Sequence, residues 1–257
     1  MGADKADLKA RADQLRELHH GQMLVLPNVW DAASAKVVAE AGFPAVATAS
    51  AAITAMLGYP DGEGAPWQEM FAAAGRVARA VGVPVTVDAE AGYGLPPREL
   101  VARLLEAGAA GCNLEDSDHR AGGLREAGAH AQWLAGVRSA ADEAGVPLVI
   151  NARVDAFLPA SAVAEPDRVA EAIRRGRLYQ DAGADCIYPI GVRHQHDISA
   201  LVTGLAGPVN GNPGEYLDLA TLRELGVARV SYGPRFYRAA MAGLKAAVEE
   251  LRPDSTW

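Results

Sequence analysis

Lysine is nearly missing from this chain: Lys5, Lys9, Lys36 and Lys245 are the only four in 257 residues. All four lie in helix-like stretches and none follows an apparent β-strand, which argues against Schiff-base chemistry, since that needs a desolvated lysine amine in the site. Cysteine is scarcer still. Cys112 and Cys186 sit inside apparent strands and fit no C-x-x-C or Cys/His spacing, so they are expected as buried thiols in a reducing compartment. Basic charge is also short, with 24 Lys and Arg against 32 Asp and Glu, a net charge of −8. No basic stripe is left for nucleic acid. No apolar run is long enough to span a bilayer, the opening residues Met1 to Lys5 lack a leader-like apolar core, and Ala6 stands where a myristoylation signal would want Ser or Thr. The expectation is a soluble, cytoplasmic protein with neither nucleic-acid nor membrane partners. With no linker or low-complexity stretch, residues 1–257 are expected to form a single domain.

What is present is a small module repeated along the chain. An Ala- and charge-rich helical segment meets a glycine stop and then a short apolar run, as in Glu40-Ala41-Gly42, Val81-Gly82-Val83, Glu106-Ala107-Gly108, Glu143-Ala144-Gly145, Asp181-Ala182-Gly183 and Glu224-Leu225-Gly226. The spacing predicts strands over 23–27, 45–50, 83–88, 110–115, 148–153, 186–190, 207–210 and 229–232. Eight strands separated by helices or loops predict a (β/α)8 TIM barrel, with a doubly wound sheet as the alternative. An extra N-terminal helix over 4–19 is expected to cover the barrel bottom, and a last helix over 234–251 closes the chain. Only a short helix is expected over 199–205.

In such barrels the chemistry sits at the C-terminal ends of the strands. Those ends collect Asn28 and Asp31, Thr48 and Ser50, Asp88 and Glu90, Asn113, Glu115 and Asp116, Asn151, Arg153 and Asp155, and Asn210 and Asn212. If Asp88 and Glu90 lie one pleat apart with their carboxylates about 5 Å from each other, they repel by roughly 3 kcal/mol at an effective dielectric of about 20, so a positive group belongs between them. Hard carboxylate oxygens suit Mg²⁺, with Mn²⁺ as a substitute. Glu115 would complete a metal-binding cluster of Asp88, Glu90 and Glu115. Arg153 would supply a fork to a substrate carboxylate or a developing oxyanion, unless it forms a structural salt bridge to Asp155 or Glu115. His194 and His196 match no zinc spacing and are expected as a solvated pair.

Leu26-Pro27-Asn28-Val29-Trp30-Asp31-Ala32-Ala33-Ser34-Ala35, Asp88-Ala89-Glu90-Ala91-Gly92-Tyr93-Gly94, Leu114-Glu115-Asp116 and Asn151-Ala152-Arg153-Val154-Asp155-Ala156-Phe157 together resemble the isocitrate lyase / phosphoenolpyruvate mutase superfamily across nearly the whole chain. The resemblance implies that Asp88, Glu90 and Glu115 hold Mg²⁺, partly through water, and that Arg153 contacts substrate. It implies that Asp61 lies near the reaction centre and that the amides of Ser50 and Ala51 bind a substrate carboxylate. It also implies tetramers that exchange the last helix between subunits; a homotetramer or homodimer is expected.

Two loop signatures of that superfamily are absent. Ser117-Asp118-His119-Arg120-Ala121-Gly122-Gly123-Leu124 carries neither the catalytic cysteine of the isocitrate and methylisocitrate lyases nor the Lys and Asn-Ser of the phosphonopyruvate branch. Pro189-Ile190-Gly191 stands where that branch has a histidine. Asn210-Gly211-Asn212-Pro213 looks closer to oxaloacetate decarboxylase-like members, with Asn210 as a substrate contact, and Gly122-Gly123 fits a lid. The expected activity is that of a Mg²⁺-dependent lyase on a small 2-oxo or 2-hydroxy (di)carboxylic acid, by carbon–carbon cleavage or decarboxylation through an enolate. The alternatives are a phosphorus–carbon bond mutase or hydrolase and a non-catalytic metabolite-binding barrel.

Overall fold

A computed structural model describes residues 4–251. The terminal residues outside that range include Met1 to Ala3, on which part of the leader reading rests. The chain runs α1 (Lys5–Glu17), β1 (Leu24–Leu26), β2 (Asn28–Val29), α2 (Ala32–Glu40), β3 (Val46–Thr48), α3 (Ser50–Leu57), α4 (Trp67–Ala80) and β4 (Val85–Asp88). It continues through α5 (Pro97–Glu106), β5 (Gly111–Glu115), α6 (Ala127–Ala144), β6 (Val149–Val154), α7 (Arg168–Asp181) and β7 (Cys186–Pro189). Then come α8 (Gln195–Gly204), β8 (Asn210–Gly211), α9 (Leu219–Glu224), β9 (Arg229–Ser231) and α10 (Arg235–Glu250). Every pairing among these nine strands is parallel, as alternation with helices requires.

The strands form two arcs, β1-β9-β8 and β2-β3-β4-β5-β6-β7. The expected first strand is split because Pro27 has no N–H to give a ladder, so β1 pairs with β9 and β2 with β3 on either side of it. The other junction is a parallel bridge between Ile187 and Val209, with the Ile187 amide donating to Pro208 O at 3.0 Å. The eight expected strand positions are therefore all occupied, making a TIM barrel. Five of the six glycine stops have positive φ; Gly82 does not, because α4 ends in an extended Val81.

Residue chemistry explains how the ends are dressed. Leu8, Ala12 and Leu15 form the buried stripe of α1, and Leu15 packs with Leu24, Leu26, Ala45, Ala47, Ala110 and Val149 at the N-terminal mouth of the barrel. Arg16 fastens it there, with Nε donating to Asp185 Oδ1 at 3.0 Å and Nη2 to Pro147 O at 2.9 Å. The bottom is covered as expected. At the other terminus α10 has no buried residue, although Met241, Leu244, Val248 and Leu251 recur at helical spacing. Helix α8 starts at Gln195, four residues earlier than expected, with an extended His194 at its N-cap position and His196 exposed within its first turn. Among the described residues no helix is long and apolar enough to cross a membrane. Both cysteines are free and buried.

Candidate active site

The C-terminal end of β4 presents Asp88 in register with Asn113 of β5. The Asp88 amide donates to Thr48 Oγ1 at 2.8 Å, and the Ser50 amide, opening α3, donates to Asp88 Oδ2 at 3.0 Å. The other carboxylate oxygen, Oδ1, is buried with no hydrogen-bond partner among the described residues. A buried carboxylate oxygen without a donor is costly unless a cation or water completes it.

Glu90 reaches the same region by a different route from the one strand alternation suggests. The strand stops at Asp88, and Glu90 sits in a turn with φ of 48°. Its carboxylate accepts from the Tyr93 hydroxyl at 2.8 Å and from the Glu63 amide, while Glu63 Oε1 accepts from the Tyr93 amide at 2.5 Å. Glu63 and Tyr93 also have positive φ, so two loops interlock in strained conformations. Gly92 allows this: its φ is 86°, and a Cβ there would lie 2.6 Å from the Trp133 ring. Burial pushes the Glu90 carboxyl up to about 7, opposed by the Glu63 amide and assisted by the Asp88 charge.

Glu115, at the end of β5, is also committed. Its Oε1 meets His119 Nε2 at 2.6 Å and its Oε2 meets Arg153 Nη2 at 2.6 Å. Burial raises its carboxyl while Arg153 opposes the rise. Arg153 forks onto Asp155 at 2.6 and 2.8 Å, so both structural salt bridges weighed for it are present. Asp155 takes the Ser117 hydroxyl at 2.5 Å, and its amide donates to Asp116. Asp116 is buried against Tyr179 and Arg175 and thereby fixes the end of β6.

A cavity of about 280 Å³ opens over these strand ends, lined in part by Ser50, Ala51, Asp61, Asp88, Arg153 and Arg238. Burial, then repulsion from Asp88, pushes the Asp61 carboxyl above its ordinary value. Glu90, Glu115 and Asn210 do not line this cavity. Asn210 is fully buried in the barrel interior, donating to Ser231 Oγ at 3.1 Å and receiving Asn151 Nδ2 at 3.3 Å. An adjoining cavity of about 570 Å³ shares Tyr188, Ile190, Gly233 and Pro234 with the first.

Among the described residues no three His, Cys, Asp or Glu side chains converge tightly enough to enclose a metal ion. The donor chemistry still fits a hydrated hard cation. Asp88 offers one uncommitted oxygen, and Mg²⁺ characteristically keeps several waters that acids such as Glu90 and Glu115 could accept. Two participants had no sequence signal pointing to them: His119, brought to Glu115 by the fold of its loop, and Arg238, placed by where α10 begins.

Three comparisons bear on this site. A family model described as phosphoenolpyruvate phosphomutase matches residues 15–252. The 2,3-dimethylmalate lyase of Eubacterium barkeri is 33% identical over 84% of this chain and 77% of its own, and an oxaloacetate decarboxylase of Bradyrhizobium sp. (strain BTAi1) is 32% identical over 88% and 80%. A crystal structure from Burkholderia cenocepacia J2315, assigned provisionally to the phosphonomutases, shares 44% identity with a TM-score of 0.86, covering 93% of this chain and 99% of that one.

Proposed function

Because the chain belongs to the phosphoenolpyruvate phosphomutase family of the PEP mutase/isocitrate lyase superfamily, we propose that it is a Mg²⁺-dependent lyase of small 2-oxo or 2-hydroxy acids, breaking a carbon–carbon bond or removing CO₂. The reading is carried by the uncommitted, buried Oδ1 of Asp88 beside a cavity lined by Ser50, Ala51, Asp61 and Arg153. Asp88 would hold Mg²⁺ or Mn²⁺ directly, with Glu90 and Glu115 acting through water. When bound, the cation would supply Lewis-acid polarisation of the 2-oxo oxygen and positive charge where enolate charge develops.

The chain's own residues do the rest. The Ser50 amide is spent on Asp88, which leaves the Ala51 amide at the start of α3 for a substrate carboxylate. Arg153, held by Glu115 and Asp155, presents a fixed guanidinium to the substrate rather than a flexible one. Asp61, a cavity-lining acid whose carboxyl is raised by burial, would move the proton that the enolate carbon takes up after bond cleavage. The exposed apolar stripe of α10 supports assembly into a dimer or tetramer with that helix on a neighbouring copy, and the two free buried thiols suit a cytoplasmic setting.

Phosphorus–carbon chemistry is the second reading, favoured by the 44% identical Burkholderia structure. One experiment separates the readings: purified protein with Mg²⁺ is offered oxaloacetate, dimethylmalate, methylisocitrate and phosphonopyruvate while pyruvate, other 2-oxo acids and phosphate are followed. Metal-dependent cleavage of a carbon acid supports the lyase, and phosphate release or phosphoryl migration supports the alternative. Turnover and Mg²⁺ affinity unchanged by Asp88→Asn would sink the metal site, and no Mg²⁺-linked stabilisation by any of these acids would leave a non-catalytic barrel.

A further inference from the structure

Arg238 is the cavity-lining cation with no carboxylate of its own among the described residues. The other lining arginine, Arg153, is neutralised by Glu115 and Asp155. Arg238 makes no side-chain hydrogen bond or ion pair among the described residues, although it stands in the first turns of α10 at the lip of the cavity holding Asp61 and Asp88. The helix start that carries it is fixed. The amides of Tyr232 and Gly233 donate to Asn28 Oδ1 at 2.7 and 3.0 Å, and Tyr237 meets Trp30 edge to face at 5.3 Å. This start of α10 is thus tied to its own barrel even though the rest of the helix is bare.

We infer that Arg238 is a specificity-determining residue that takes the second carboxylate of a dicarboxylic 2-oxo or 2-hydroxy acid, an inference that rests on the metal-centred lyase reading above. A substrate's reactive end would engage Asp88, Ala51 and Arg153. With the cation and Arg153 taken up by that end, and Arg153 already balanced by Glu115 and Asp155, Arg238 is the lining cation left for a distal carboxylate. A guanidinium offers a two-pronged donor matched to a carboxylate, and the cavity of about 280 Å³ has room for a four- to six-carbon diacid. Because Arg238 is solvated in the free protein, a monoacid loses nothing by leaving it alone, whereas a diacid gains a charge-assisted contact. The preference therefore comes from a charge-assisted, two-pronged contact, screened by salt, of roughly tenfold in affinity.

Titration calorimetry with Mg²⁺ tests this with two probes: oxalate, whose carboxylates both engage the metal end, and malate, a 2-hydroxy acid with a distal carboxylate. Arg238→Gln is expected to weaken malate about tenfold at low salt and oxalate less than twofold, with Arg238→Lys recovering part of the loss. Arg193→Gln, on the adjoining cavity, should leave both unchanged. Equal weakening of both probes, an unaltered malate affinity, or a malate-selective loss in Arg193→Gln would overturn the role of Arg238. So would wild-type protein that binds oxalate but not malate. If wild-type protein shows no Mg²⁺-dependent oxalate binding, the metal-centred reading itself fails and the inference falls with it.

Discussion

His130 shows how much a single buried side chain can set the acid limit of a fold. It stacks on Trp133 and meets Tyr179 edge to face, and among the described residues neither ring nitrogen has a hydrogen-bond partner. Burial, helped by Arg125 and Arg175, lowers it to about 3. The unfolded chain takes up this proton below about 6.5 and the folded chain only near 3, so the unfolded state binds more protons in between. The associated stability is complete above about pH 6.5 and is lost as pH falls towards 3. His130→Leu is expected to flatten the fall in urea stability between pH 7 and pH 5, whatever its effect at pH 8. Gly92→Ala should destabilise by about 2 to 4 kcal/mol in denaturant titration, combining a left-handed φ with a clash on Trp133. At this scale Asp88 and Arg153 were legible because strand ends point polar residues into a barrel mouth. Arg238 and His119 were not, since a helix start and a loop path, not a spacing, bring them in.

The elements repeat the contrast between what a pattern encodes and what packing adds. Glycine stops and apolar runs were enough to locate every strand position, but not the break at Pro27 or the four residues from Gln195 to Ile198 that extend α8 back to His194. Helix α1 is held by its Leu15 plug and by Arg16 on Asp185, which Arg138 also binds at 2.5 Å. Leu15→Asp should lower stability by more than 3 kcal/mol, because a charge would enter an apolar mouth without a partner; an equilibrium unfolding curve would show it. Helix α10 is the opposite case. Leu244 is 57% exposed and Val248 52% exposed on the same stripe. If that stripe meets a second copy, Leu244→Glu should shift the protein towards monomer in sedimentation velocity with little change in far-UV circular dichroism. An unchanged oligomer would remove α10 from the interface.

For the whole molecule, the metal is the clearest lever. Removing divalent ions should lower the melting temperature of wild-type protein, and adding Mg²⁺ should restore it; Asp88→Asn should abolish most of that difference. The ring has a further consequence in the order of synthesis. Leu24 pairs with Arg229, and Asn28 receives the Tyr232 amide from 204 residues away. A growing chain can assemble the arc from β2 to β7 early, yet its two outer edges stay open until β8 and β9 emerge. Ribosomes stalled anywhere before residue 229 would therefore hold a half-built cylinder with bare strand edges, a species for chaperones to shield rather than a smaller working enzyme.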